Sequence, residues 1–215
     1  QYELSYNTYI KGVVLNAAVY YRNTTDEISN VTTVVEDVTQ TTYQNIGKER
    51  SLGFNFFTSF KVKQWLQLRG GFDLRRFEAE GLIQNQLLTR SAYVWRGNLS
   101  GTADLGNDYK VEMFGFFNSP RQTLQGSRGS YSQFSIGFNK EMWNKRASLG
   151  LSIIQPFSRT LAFPSEIEGP DFFQDSEFGV EVRSFNINFS YRFGKLDFKQ
   201  PRQRRSSINN NDLKE

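Results

Sequence analysis

Residues 66–75 read LQLRGGFDLR, and the alternation in this stretch decides the fold class. Its even positions, Leu66, Leu68, Gly70, Phe72 and Leu74, are apolar or glycine, whereas the odd positions, Gln67, Arg69, Gly71, Asp73 and Arg75, carry three charges. Side chains of an extended strand point to opposite faces in turn, so this strand presents an apolar face and a polar one. The pattern recurs at 184–193, where Phe185, Ile187, Phe189, Tyr191 and Phe193 alternate with Ser184, Asn186, Asn188, Ser190 and Arg192. Weaker versions run through Val13 to Tyr21, Leu52 to Phe60, Tyr93 to Ala103, Tyr109 to Phe117, Phe134 to Phe138 and Leu149 to Ile153. With a short opening strand at 2–8, nine strands are expected. Helical spacing of apolar residues is nowhere sustained.

The connections fall into two classes that alternate along the chain. Short ones are expected at 9–12, 61–64, 106–108 and 140–146, and long polar ones at about 23–40, 77–87, 119–130 and 155–178. Short turns at one end and long loops at the other are the polarity of an up-and-down transmembrane β-barrel. Tyr9, Phe60, Trp65, Tyr109 and Trp143 cluster beside the short turns, where an interfacial aromatic girdle would sit. A soluble β-sandwich also alternates, but it gives no reason for this loop asymmetry. Nine is an odd number, whereas single-chain bacterial barrels close with an even one, so the chain reads as the C-terminal part of a larger barrel.

Composition narrows the chemistry. The 215 residues include no Cys and no His, which removes Cys or His nucleophiles, the Ser-His-Asp triad and a zinc site of ordinary ligand type. No enzyme activity, catalytic residue, metal or cofactor is expected. No stretch approaches the ~20 apolar residues of a spanning helix, and 1–12 lacks the basic-then-apolar order of a leader. A mean hydropathy of −0.56 does not argue against a membrane barrel, since half of each strand faces water. The net charge is +4, and residues 195–215 hold six basic and three acidic residues, so most of the excess sits there and no nucleic-acid surface is implied. Division into a barrel portion, 1–194, and a disordered basic tail, 195–215, follows.

Three stretches resemble the Bacteroidetes-type outer-membrane β-barrel family of TonB-dependent receptors. YQNIGKERSLGFNF at 43–56 is similar to a strand entered through an Asn-x-Gly segment. GSRGSYSQFSIGFNKEMWNKRASLGLSI at 126–153 is similar to an outer loop, strand, Lys- and Trp-containing periplasmic turn and rising strand. FNINFSYRFGK at 185–195 is similar to the closing strand. The resemblance implies an outer-membrane location with extracellular loops and a periplasmic tail, in a barrel of about 22 strands. It also implies energy-coupled uptake of a nutrient. The partners it implies are outer-membrane lipid, the rest of the barrel and its plug, surface lipoproteins or other complex subunits, and an energy-transducing periplasmic protein reached through an N-terminal region that this sequence does not contain. The alternative is a structural barrel subunit that scaffolds lipoproteins or a secretion or assembly complex.

Within that frame Arg69, Asp73, Arg75 and Arg96 fall on the polar parity and are expected to face the lumen, toward a plug or a ligand. Phe189, Tyr191 and Phe193 resemble a C-terminal barrel-assembly signal. Glu166, Glu168, Asp171, Asp175 and Glu177 crowd one long loop without the spacing of a calcium loop, and read as a solvated acidic loop.

Overall fold

The computed structural model describes residues 1–45 and 47–194. Among them there is no helix. The strands are β1 (Tyr2–Ile10), β2 (Val13–Thr25), β3 (Ile28–Val35), β4 (Val38–Asn45), β5 (Lys48–Lys63), β6 (Leu66–Ile83), β7 (Gln86–Gly106), β8 (Tyr109–Asn118), β9 (Arg121–Thr123), β10 (Gly126–Arg128), β11 (Gln133–Met142), β12 (Ala147–Ile154), β13 (Thr160–Glu168), β14 (Phe173–Glu181) and β15 (Ser184–Tyr191). Nine of them form one sheet in the order β1-β2-β5-β6-β7-β8-β11-β12-β15. Every neighbouring pair is antiparallel, so the sheet is an up-and-down meander. Each alternating segment of the sequence lies in one of these strands, except that β15 stops at Tyr191 and leaves Phe193 just beyond it. The basic tail at 195–215 lies outside the described residues.

Cross-strand partners share a face of a sheet, so the register tests the alternation strand by strand. One row joins Leu4, Val19, Phe54, Leu74 and Trp95, and another joins Val111, Phe138, Leu151 and Ile187. Their immediate neighbours on the opposite face include Asn55, Asp73 and Arg96, and Asn139, Gly150 and Asn188. The apolar face is uncovered: Leu4 is 80% exposed, Phe185 74% and Ile187 78%. No second sheet lies over it among the described residues, as a soluble sandwich would require. Tyr9 departs from the girdle expectation, because its register with Val14 puts it on the polar face.

Among the described residues, three of the four buried apolar side chains, Val31, Phe77 and Ile83, lie at the long-loop end of the sheet. The expected long loops are mostly strand. Residues 77–87 continue β6 and β7 to a two-residue turn at Gln84-Asn85, whose φ angles of 50° and 62° are the left-handed backbone conformation of a turn that matches the right-handed twist of hairpin strands. Asn107-Asp108 and Glu36-Asp37 are built alike. Residues 23–40 hold the end of β2, β3 and the start of β4. Residues 119–130 hold β9 and β10, and 155–178 hold β13 and most of β14. The acidic loop is therefore a hairpin, with Glu166 paired to Asp175 and Glu168 to Phe173. Gly47, in the Asn-x-Gly segment, has φ 67°, and a Cβ there would stand 1.7 Å from the Glu80 carbonyl oxygen, so this turn accepts only glycine.

One side chain ties the hairpins together. The Gln125 Nε2 donates to the Thr32 carbonyl at 2.8 Å while its Oε1 accepts from the Thr32 N–H at 2.8 Å, so a buried amide replaces a strand neighbour for β3. The Gln125 carbonyl in turn accepts from the Glu168 N–H at 2.6 Å. Gln125→Ala leaves a buried N–H and a buried carbonyl unpaired, and is expected to ease opening of the β3-β4 hairpin by about 2 kcal/mol, roughly 30-fold in the opening equilibrium. Hydrogen exchange at the Thr32 amide reads this directly; unchanged protection would show that β3 is held otherwise.

Candidate functional site

Among the described residues the one buried charged side chain is Asp73, on the polar face. Asp73 on β6 pairs in register with Asn55 on β5 and Arg96 on β7. Its Oδ2 accepts from the Tyr20 hydroxyl at 3.0 Å, and its Oδ1 lies 3.6 Å from Arg96 Nε. Tyr20 reaches it by lying across Gly53, where a Cβ would meet the Tyr20 Cζ at 2.3 Å. The carboxylate is buried while the Arg96 side chain is 68% exposed, so the pair presents a cation outward over a fixed anion. A shallow concavity of about 290 Å³ beside them takes in Asn55, Phe57, Asn98, Phe116 and Asn118.

Of the four residues expected to face the lumen, Asp73 and Arg96 are brought together and Arg75 lies on the same face, two residues above Asp73. The Arg75 Nε is buried and has no hydrogen-bond partner among the described residues. Arg69 stands apart, exposed, opposite Ser59 and Ser100. Alternation assigns all four to one face; it holds nothing about Tyr20, because partnership across strands depends on register.

Above Arg75 the polar face meets the hairpins. A cavity of about 130 Å³ is lined by Glu27, Glu49, Arg75, Phe77 and Arg121, and a larger one of about 300 Å³ by Glu27, Tyr43, Arg121, Gln125 and Arg128. Glu27, at the β2-β3 connection, has its carboxyl pushed above the ordinary carboxylate range by burial first, then by the charge of Glu49 and a hydrogen bond shared with it; Arg121 opposes the shift. A raised carboxyl favours the closed hairpin below its unfolded pKa, and that contribution is lost as pH rises through the folded value. Spin-label mobility at position 35, the hairpin tip, is therefore expected to increase as pH rises past the ordinary carboxylate range, and Glu27→Gln should flatten the response. Mobility that rises toward acid would contradict this.

At the opposite end of the wall aromatic rings gather around the β11-β12 turn. The Trp143 ring stands edge-on to Phe189 at 6.5 Å and to Tyr191 at 5.8 Å, and Tyr191 stacks on Phe193 at 6.5 Å. The Arg192 N–H donates to the Arg146 carbonyl at 2.7 Å, one step beyond the strand. The three residues of the expected assembly signal thus form one exposed aromatic edge. Trp143, expected in the aromatic girdle beside the short turns, is the fourth member of this edge. Nearby, the Lys140 ammonium lies 3.5 Å from the centre of the Tyr109 ring.

Neither curated proteins nor solved structures give a match to the chain. A family model described as "Outer membrane protein beta-barrel family" matches residues 1–191, which takes in every strand of the sheet. An all-antiparallel sheet with one apolar face uncovered and one polar face fits that match, and the chain belongs to the outer membrane protein β-barrel family.

Proposed function

We propose that the chain forms part of the wall of a TonB-dependent receptor that takes up a nutrient across the outer membrane. The observation that carries this reading is the polar face: a buried Asp73, the cations Arg75 and Arg96, and polar cavities that lead from them up between the hairpins. A lumen closed by a plug or crossed by a solute needs charged donors of this kind, held in place by their own sheet. The apolar face then meets lipid. On β6 its run from Leu66 to Leu74 spans about 20 Å at a ~40° tilt, close to the ~25 Å apolar band of outer-membrane barrels.

Within the described sheet β1 and β15 each lack a partner on one side. An unpaired strand edge is not tolerated in hydrocarbon. The reading therefore requires further strands to join the two edges, with a plug inside and the energy-transducing protein beneath. In cells, disrupting the gene is expected to abolish accumulation of one class among a panel of radiolabelled nutrients, and disrupting the energy-transducing protein should reproduce that loss. Loss of accumulation that ignores the energy-transducing protein would overturn energy coupling.

A structural scaffold is the second reading, and β14 favours it: every residue of this edge strand is exposed, with Phe173 and Phe178 among them. An edge of this kind accepts a partner strand. Co-purification of a stable lipoprotein that is lost on β14 truncation, in cells whose uptake is intact, would favour the scaffold.

A further inference from the structure

The chemistry of the two faces exchanges along β6. Up to Leu74 the even positions are apolar; above it come Arg76, Glu78 and Glu80. On the other parity, polar Asp73 and Arg75 give way to buried Phe77 and Ile83. In register on β5 stand Leu52, Arg50 and Lys48, opposite Arg76, Glu78 and Glu80 in turn. The apolar face of the wall is thus bordered, just above Leu74 and Trp95, by a shallow cavity of about 280 Å³ whose charged lining is Lys48, Arg50, Arg76, Glu78, Glu80 and Arg90, the last in register with Ala79 on the other parity and donating from its Nε to Gln122 Oε1 at 3.2 Å.

Leaving Arg90 to Gln122, three cations here meet two carboxylates. Lys48 Nζ and Arg50 Nη2 share the one oxygen Glu80 Oε1 at 3.9 and 4.0 Å, while Arg76 Nη2 lies 2.8 Å from Glu78 Oε1. Contacts as long as the first two are weak, and all five side chains are between 41% and 55% exposed. A guanidinium has five donors in a rigid fork suited to phosphate, and one carboxylate contact leaves most of them unused.

We propose that this border is a binding site for the phosphorylated headgroup of an anionic lipid, held by Arg50, Arg76 and Lys48 while its acyl chains lie along Leu52, Leu74 and Trp95. The inference rests on the reading that the apolar face meets lipid. Successive rows on one face are ~7 Å apart along a strand, or ~5 Å along the membrane normal at barrel tilt, which puts the three cations about 5–15 Å above the last apolar row, at headgroup depth. A soluble anion could use the cations but not the adjoining apolar rows; an amphiphile uses both. The two glutamates hold the cations in place and give way to phosphate as their partner.

The test is lipid selectivity of the full-length protein reconstituted in phosphatidylcholine vesicles. The association of spin-labelled phosphatidylglycerol is compared with that of spin-labelled phosphatidylcholine, and a spin label at position 72 reports in parallel whether the apolar face meets lipid. Wild type is expected to prefer phosphatidylglycerol, with the preference falling about fivefold for each cation removed in Arg50→Gln and Arg50→Gln/Arg76→Gln. Arg50→Lys/Arg76→Lys should retain part of it, since charge survives while the fork is lost. Unchanged selectivity in the double Gln variant, with position 72 in lipid, overturns the headgroup site and leaves the wall reading standing. Position 72 in water overturns both. Displacement of the lipid by inorganic phosphate alone at equal concentration overturns the lipid as the source of the phosphate.

Discussion

Phe72→Arg is expected to cost the folded wall about 2–4 kcal/mol, because it places a charge near the middle of a face that meets hydrocarbon. Phe72 sits between Phe56 and Gly97, its ring stacks with Trp95 at 6.4 Å, and the side chain is 42% exposed with no polar group in register. A guanidinium there can reach water only by displacing the apolar rows above or below. Glu112→Arg, an exposed change on the polar face, should stay within about 0.5 kcal/mol. Reversible urea unfolding of the full-length protein in lipid vesicles measures both. Equal losses would show that the two faces have been assigned wrongly.

Gly53→Val is expected to cost about 3–5 kcal/mol for a different reason. A Cβ at this position falls 2.3 Å from Tyr20 Cζ and 2.5 Å from its hydroxyl oxygen, so the ring must leave its place. Overpacking of that kind costs about 1–3 kcal/mol. The displaced hydroxyl also gives up its bond to the Asp73 carboxylate, worth about 1.5–3 kcal/mol. Tyr20→Phe isolates the second loss, and should cost about that amount alone. In a Tyr20→Ala background the clash has no partner, so Gly53→Ala should then cost under about 1 kcal/mol. Full additivity of the two changes would mean that the ring does not lie across Gly53.

Period-2 alternation is legible because a single face of each strand must be apolar, and it located all nine strands of the sheet. It says nothing about register. Asp73 and Arg96 can both be placed on the polar face, but their pairing, and the arrival of Tyr20 over Gly53, depend on how β2, β5, β6 and β7 slide against one another. The hairpin end was hardest to read. Gln84-Asn85 is a two-residue turn without glycine, so the polar run around it resembles a loop although it is strand on both sides. The exchange of faces near Arg75 hides the rest, since Arg76, Glu78 and Glu80 continue the parity of Leu74 with opposite chemistry. Gln125 carries no signal in sequence at all; its role comes from the buried backbone of Thr32, 93 residues away.

The central claim is that one face of this sheet meets lipid and the other meets water, and collision accessibility of spin labels tests it most directly. Labels placed singly at 68, 72, 151 and 187 of the membrane-reconstituted full-length protein are predicted to be relaxed by oxygen and shielded from a water-soluble nickel complex. Labels at 69, 98, 152 and 188, their neighbours on the other face, should show the reverse. An inverted pattern, or the same accessibility at all eight positions, would contradict the account.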